Sequence, residues 1–208
     1  MFNKENRDQY FGIYSSSKEW VVKLDEILGN NAAKLRRQVF QLDNSKLPKL
    51  SKWGEMLLEG FELKKIDSDL FEKYVKEVDS SYKDLWGTSE NFLSNGFGFC
   101  ILKNNEFVSV CNTYYTRKGF AEIDIVTMKE FRNQGFAKII CSQFINHCIE
   151  NNIKPIWDCD DGNENSKKLA LKLGFKTIET YEMHWWHENK KFVEEYLNNF
   201  KYDNIIIN

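Results

Sequence analysis

The chain is predicted to be an α/β protein built on a mixed sheet, and three observations predict it. Runs with a period of two alternate with runs at helical spacing over most of its length. One such change takes only a few residues. From Ala121 to Thr127 the pattern alternates, with Ala121, Ile123 and Ile125 on one face and Glu122, Asp124 and Val126 on the other. From Gly135 onward Ala137, Ile140, Cys141, Phe144 and Cys148 recur as one helical stripe. Finally, Pro155 to Cys159 is a short continuous apolar run, the pattern of a strand in a buried parallel pairing.

The elements follow in order. Tyr10 to Tyr14 is β-prone. Serines 15 to 17 offer helix caps, and Trp20, Val21, Leu24, Ile27 and Leu28 follow at helical spacing up to Gly29. Leu35 to Leu42 alternates loosely as a second strand. Leu47 to Leu58 reads as a helix with Pro48 near its start and Gly60 beyond its end. This β-α-β-α stretch, 1–60, is expected to form a small subdomain that packs on the rest, 61–208. In the larger part, Phe61 to Ile66 is a strand. Asp67 and Ser68 cap a helix with Leu70, Phe71, Tyr74, Val75 and Val78 on one face. Lys83 to Asn95 is loop or short helix. Gly98 to Lys103 and Glu106 to Tyr115 form a hairpin about Asn104-Asn105, since Asn tolerates the left-handed conformations of a tight turn. Lys118-Gly119 turns into the strand at 121–127. Ser166 to Leu173 is a helix stopped by Gly174, Thr177 to Trp186 a strand, and Phe192 to Phe200 a final helix. Ile205 to Ile207 is left as an edge strand or a loose tail.

Composition sets bounds on partners and compartment. The 208 residues are 42% hydrophobic and 15% aromatic, enough for one good core or for a domain with a small addition. A net charge of −2 gives no broad basic field of the kind that attracts nucleic acid. Five scattered cysteines without a C-x-x-C pair read as reduced core thiols. The first residues lack an apolar signal core, and no run of 18 apolar residues occurs. A soluble, cytoplasmic protein with neither nucleic-acid nor membrane partners is expected.

The strand–turn–helix at 121–148 has a definite chemistry. A helix start exposes backbone N–H groups at the positive end of the helix dipole. Gly135, without a side chain, lets an anion approach them, and Arg132 adds a positive charge at the lip. The alternative is an ordinary turn that happens to contain glycine. Arg132-x-x-Gly135-x-Ala137 resembles the pyrophosphate-binding motif of the GNAT superfamily of acetyl-CoA-dependent N-acetyltransferases. Asn163, Ser166, Gly174 and Phe175 match the family's second signature. The resemblance extends over about Phe61 to Trp186 and is closest to a branch with a Trp-x-Cys strand, here Trp157 and Cys159, and an extra N-terminal region.

The resemblance implies a mixed, strongly twisted sheet whose fourth and fifth strands splay apart around the pantetheine arm of coenzyme A. It implies acetyl-CoA as co-substrate and no metal. It places the cofactor on the backbone of Ile125, Val126 and Thr127, on Arg132, Asn133, Gln134, Gly135, Phe136, Ala137 and Lys138, and on Asn163. Asn163 also reads simply as a turn or cap residue.

Acetyl transfer from a thioester to an amine needs a proton acceptor for the amine. Glu122 and Asp124 are the candidates, although the register of the family motif puts its glutamate near Ala121, one residue off, so that a bulge in the strand is expected. A solvated strand face is the plainer explanation of the two carboxylates. The tyrosine that often serves the family as general acid falls on Ala170, and Cys159, Asp160, Tyr181 or a water are the substitutes. His184-x-x-His187 does not read as a metal site, because residues three apart on a strand face opposite ways. The nearby aromatics fit core packing better than an acceptor pocket.

Three functions were weighed. The favoured one is an enzyme that moves acetyl from acetyl-CoA to a primary amine of a small molecule or peptide. The second is a non-catalytic acyl-CoA-binding module, for which Ala170 speaks. A Rossmann-type dinucleotide site is rejected, since G-x-G-x-x-G is absent from Arg132 to Ala137. For residues 1–60 three roles stay open: an acceptor lid, the surface of a homodimer, or a packing buttress.

Overall fold

The structure is a computed structural model that describes residues 9–15, 17–43, 45, 57, 59–200 and 202. The strands are β1 (Tyr10–Tyr14), β2 (Ala33–Leu42), β3 (Glu62–Lys65), β4 (Gly98–Lys103), β5 (Glu106–Arg117), β6 (Phe120–Thr127), β7 (Lys154–Asp160) and β8 (Phe175–His187). The helices, among the described residues, are α1 (Lys18–Leu28), α2 (Ser68–Glu77), α3 (Ser81–Trp86), α4 (Ser89–Asn95), α5 (Phe136–Glu150), α6 (Glu164–Lys172) and α7 (Lys190–Asn199). This is the mixed α/β class expected. The helix read at Leu47 to Leu58 and the run Ile205 to Ile207 lie outside the described residues, apart from Leu57.

Backbone contacts group the chain into two compact units, one formed from 1–39, 159–167 and 177–208, the other from 40–158 and 168–176. In the second unit the strand order is β7-β6-β5-β4-β3. β3–β4, β4–β5 and β5–β6 are antiparallel, and β6–β7 is parallel. The β4–β5 turn places Asn104 and Asn105 at φ 52 and 65, the left-handed pair that the two asparagines predict. Asp67 caps α2 by accepting the N–H of Leu70. The polar stretch after α2 forms two short helices, with Tyr82 and Trp86 turned inward from α3 and Phe92 from α4.

One face of these strands is covered by α2, α3 and α4. Leu70, Phe71, Tyr74, Tyr82, Trp86 and Phe92 from those helices pack there with Cys100, Leu102, Phe107 and Val110. Tyr74 and Tyr82 meet edge to face at 4.9 Å, and Phe71 stacks on Phe92 at 4.8 Å. α5 packs against β4, β5 and β6. It buries more than the stripe read from sequence, since Phe136, Ile139 and Ile145 are also enclosed. All five cysteines are buried and unpaired as disulfides. Burial pushes Cys100 and Cys148 up to about 12 and raises Cys111 further, with its neighbour Cys141 adding to the effect.

In the first unit β1 pairs antiparallel with β8, from Tyr10 opposite His187 to Tyr14 opposite Met183, and β2 lies on the other side of β8. Its core joins Leu35 of β2 to Val193 and Leu197 of α7, with Met183, Trp185, Tyr196 and Tyr202 around them. Of the β8 aromatics Trp185 thus packs in a core, while Trp186 stacks on Phe11. Gly162, just past β7, lies close against the end of α7: a β-carbon there would stand 1.8 Å from the Phe200 carbonyl oxygen. Because the obstacle is backbone, it has no rotamer to escape into. Gly162→Ala is expected to cost about 1–3 kcal/mol, read as a lower midpoint in thermal or urea unfolding with secondary structure otherwise unchanged.

Candidate functional site

β6 is bonded along its whole length to β5 but to β7 only at its start. The parallel register runs Phe120 to Lys154, Ala121 to Pro155 and Glu122 to Ile156, and goes no further. From Ile123 to Thr127 the β7-facing edge of β6 has no ladder partner among the described residues. A buried strand edge leaves N–H and C=O groups that require partners, so this edge suits a ligand carrying amides of its own.

The open edge runs directly into a turn. After Thr127 comes a 3₁₀ turn at Lys129–Phe131, then Arg132 to Gly135, and α5 begins. Asn133 and Gly135 have φ 63 and 91. Gly135 is the N-cap of α5, with no side-chain cap hydrogen bond. Among the described residues, chain neighbours apart, nothing lies within 4 Å of the β-carbon position at Gly135. The first N–H groups of α5 are therefore presented outward without a capping side chain. Arg132 is exposed, and its Nε donates to the Thr127 carbonyl at 3.0 Å, which ties the turn to the end of β6. Gln134 donates to the Glu130 carbonyl at 2.9 Å. Phe136, grouped from sequence with the cofactor contacts, has its ring in the core. Phe61 lies 4.7 Å from it and Phe131 6.1 Å. Its backbone N–H is the part that faces the turn. Ala137 and Lys138 are half-buried in the first turn. The residues present fit a diphosphate at the helix start followed by an amide-bearing arm along β6.

The two candidate carboxylates separate. Glu122 sits on the last paired rung with β7 and lines a cavity of about 360 Å³ with Tyr115, Arg117, Lys118, Phe120 and Ile156. The bulge expected in β6 is instead on its neighbour. Thr113 pairs with Ile123 and Thr116 with Ala121, so that Tyr114 and Tyr115 of β5 both stand opposite Glu122. The alternation of β6 is intact, and Glu122 keeps the face it has in the sequence pattern.

Asp124 lies two residues on, and its carboxylate accepts the Tyr82 hydroxyl at 2.7 Å. The residue keeps some exposed surface, but burial of the carboxyl group is the largest influence on it. Burial pushes its pKa upward, Asp79 adds to the rise, and Tyr82 partly offsets it. Tyr82 and Tyr74 are raised in turn, by burial first and then by Asp124. Sequence reasoning passed over Tyr82, which sits just before the stretch read as loop or short helix. The spacing of Tyr82 and Trp86, four apart, was the signal of a short amphipathic turn.

Asn163 belongs to the first unit. Its side chain accepts the Ser166 N–H at 3.1 Å, and so caps the start of α6. Ala170 is fully buried in α6, and the position offers no hydroxyl. Asp160, one substitute for the acid, is buried and committed: it accepts the hydroxyls of Tyr196 and Tyr202 and an Arg37 N–H at 3.1 Å. Tyr181 packs edge to face with Tyr14 at 6.0 Å, and Cys159 is buried. His184 bonds Asp25 at 2.7 Å, while His187 accepts the Asn189 N–H at 3.0 Å. Among the described residues no three metal-ligating side chains come together, and no helix is long and apolar enough to cross a membrane.

The open strand edge that leads into a glycine-capped helix has the arrangement expected of the GNAT acetyltransferase fold. Residues 1–184 match the family model described as GNAT acetyltransferase, and the chain belongs to that family. It is 38% identical over 175 residues to the uncharacterized N-acetyltransferase YdfB of Bacillus subtilis (strain 168). That match covers 84% of this chain and 66% of the relative, so the chain spans about two thirds of the curated relative's length. The crystal structure of a GCN5-related N-acetyltransferase-like protein from Streptococcus suis 89/1591 superposes with a TM-score of 0.71 at 28% identity, over 84% of this chain and 70% of that one. An acetyltransferase from the GNAT family from Colwellia psychrerythraea shares the fold, at a TM-score of 0.55 and 13% identity over 86% and 64% of the two chains.

The state of Asp124 is testable through stability. A carboxyl whose pKa is raised by folding binds its proton more tightly in the native state. It contributes nothing below the ordinary carboxylate range and costs stability as pH rises through that range toward the native pKa. Asp124→Asn keeps an oxygen for Tyr82 and removes the charge. The variant is expected to match the parent near pH 3 and to exceed it at pH 8, by about 1.4 kcal/mol per unit of upward shift. Urea midpoints across that range check this, and a pH-independent difference would contradict it.

Proposed function

We propose that the protein transfers the acetyl group of acetyl-CoA directly to a primary amine. The observation that carries this reading is the end of β6–β7 pairing at the Glu122–Ile156 rung, with the freed edge of β6 leading to Gly135. Acetyl-CoA, when bound, supplies a thioester whose carbonyl carbon accepts the nucleophile. The chain supplies the rest. The N–H groups at the start of α5 hold the diphosphate, and Arg132 braces that turn while adding positive charge. The backbone of Ile125, Val126 and Thr127 pairs with the amides of the pantetheine arm, as an added strand would.

Glu122 takes the proton of the attacking amine, either directly or through one water. A bond forms between the amine nitrogen and the acetyl carbon, the carbon–sulfur bond breaks, and the sulfur leaves as thiolate to be protonated from solvent. Glu122 is preferred to Asp124 because it lines a cavity at the point of divergence, whereas the Asp124 carboxyl is enclosed with Tyr82. Buried Ala170, at the position of the family's acid, favours a second reading, an acyl-CoA-binding module without turnover. A thiolate is a good enough leaving group that the missing hydroxyl does not decide between them.

Release of free thiol from acetyl-CoA across a panel of amines tests the enzyme reading, and tight binding without release would favour the second. In the enzyme, Glu122→Gln is expected to lower kcat roughly 100-fold with the calorimetric affinity for CoA unchanged. Gly135→Val, which sets a β-branched side chain at positive φ over the first turn, is expected to weaken CoA binding by at least about tenfold, a loss of about 1.4 kcal/mol. Unaltered CoA affinity in that variant would remove the diphosphate site.

A further inference from the structure

We infer that the acceptor is a primary amine whose far end carries an anionic group, held by Arg117 and Lys118 at the β5–β6 hairpin. The inference rests on the acyl-transfer reading and assigns that reaction its substrate class. The 360 Å³ cavity lies at the rung where β6 and β7 part, and among the described residues Glu122 is the one carboxylate that lines it. Arg117 and Lys118 line the same cavity. They also line a second, of about 620 Å³, which Phe120 shares and to which Lys65 and His147 contribute. No aspartate or glutamate lines this second cavity, and its ionisable side chains are all basic types. Burial, and then Lys65, hold His147 below its ordinary pKa, with Glu150 partly opposing them, so the positive charge lining the cavity is that of Lys65, Arg117 and Lys118. The two cavities thus share the hairpin cations, and the first adds the Glu122 carboxylate.

The hairpin is a firm support for such a pair of charges. Lys118 and Gly119 occupy left-handed conformations at φ 44 and 83, the two-residue turn that matches strand twist, and Arg117 pairs directly with Phe120. Tyr115 and Phe120 are 51% and 42% exposed, and their rings give the first cavity apolar walls suited to a carbon skeleton. The ammonium of Lys154 stands 5.4 Å from the Phe120 ring and adds a further cation to the rim. A second ammonium on the acceptor would meet four like charges here, whereas a carboxylate or phosphate would meet opposite ones. The chain as a whole carries a net charge of −2, so this basic surface is local and is not a consequence of composition.

Three amines with one four-carbon skeleton separate the possibilities: butylamine, 1,4-diaminobutane and 4-aminobutyrate, each assayed by thiol release from acetyl-CoA with the full chain. The expected result is a kcat/KM for 4-aminobutyrate at least about tenfold above the other two, equivalent to about 1.4 kcal/mol. The double charge reversal R117E/K118E is expected to transfer the preference to the diamine while calorimetric CoA binding is retained. Equal rates, a preference of the parent for the diamine, or a variant that slows all three amines alike would overturn the inference and leave acyl transfer standing. Thiol release with other amines of the panel but with none of these three would overturn the inference alone, and no release with any amine would remove the acyl-transfer reading and the inference with it.

Discussion

The parting of β6 and β7 is the constraint on which the rest of the second unit depends. Parallel strands normally continue their ladder, because each unbonded N–H and C=O removed from water costs about 1–3 kcal/mol. Here the ladder stops after three rungs. The strand edge it leaves is stable because the opposite edge is fully engaged: β6 is bonded to β5 from Phe120 to Thr127. α5 packs on these strands with an almost continuous apolar surface, and α2, α3 and α4 close the other face. Rigidity on three sides therefore permits openness on the fourth. The same rigidity holds the Gly135 turn in place, since Phe61, Phe131 and Phe136 pack beneath it.

The bulge in β5 shows how a small irregularity defines a site. Two tyrosines opposite one glutamate widen the strand where Glu122 sits, and the ladder resumes at Thr116. Beyond it the hairpin closes on Lys118 and Gly119. Glu122, Tyr115, Phe120, Arg117 and Lys118 all come from eight residues of sequence, on one hairpin with a fixed register. In the first unit the polar groups behave differently. Buried Asp160 is surrounded by Arg37, Tyr196 and Tyr202, and Asp161 is held by Arg36, Gln38 and Lys167. Burial alone would raise the pKa of Asp161, but Arg36 and Lys167 more than offset it. Such saturated clusters brace the chain, since their oxygens are already committed to partners.

Most of the architecture was legible because it is encoded locally. The alternation at 121–127, the asparagine pair at 104–105 and the glycine at 135 each act within a few residues, and each has the predicted form. The edges of the site were less legible. A strand's divergence from its neighbour depends on partners some thirty residues away, so nothing in Pro155 to Cys159 announces that pairing ends at Ile156. The bulge was expected in the strand carrying Glu122, but the extra residue is on β5, where it leaves the alternation of β6 unchanged. Tyr82 was passed over because a six-residue helix offers too few turns for periodicity to stand out. The wide burial of α5 was underestimated for a related reason: a helix enclosed on most sides loses the contrast that makes an amphipathic stripe visible.

The burial of all five thiols has a practical consequence for enzymology. Sulfhydryls that are enclosed, and in three cases strongly disfavoured as thiolates, react slowly with aromatic disulfide reagents while the chain is folded. Colour developed during a reaction with such a dye therefore comes from the released coenzyme. A later, slower increase of up to five equivalents would mark opening of the interior, so a single trace reports chemistry and conformational integrity together.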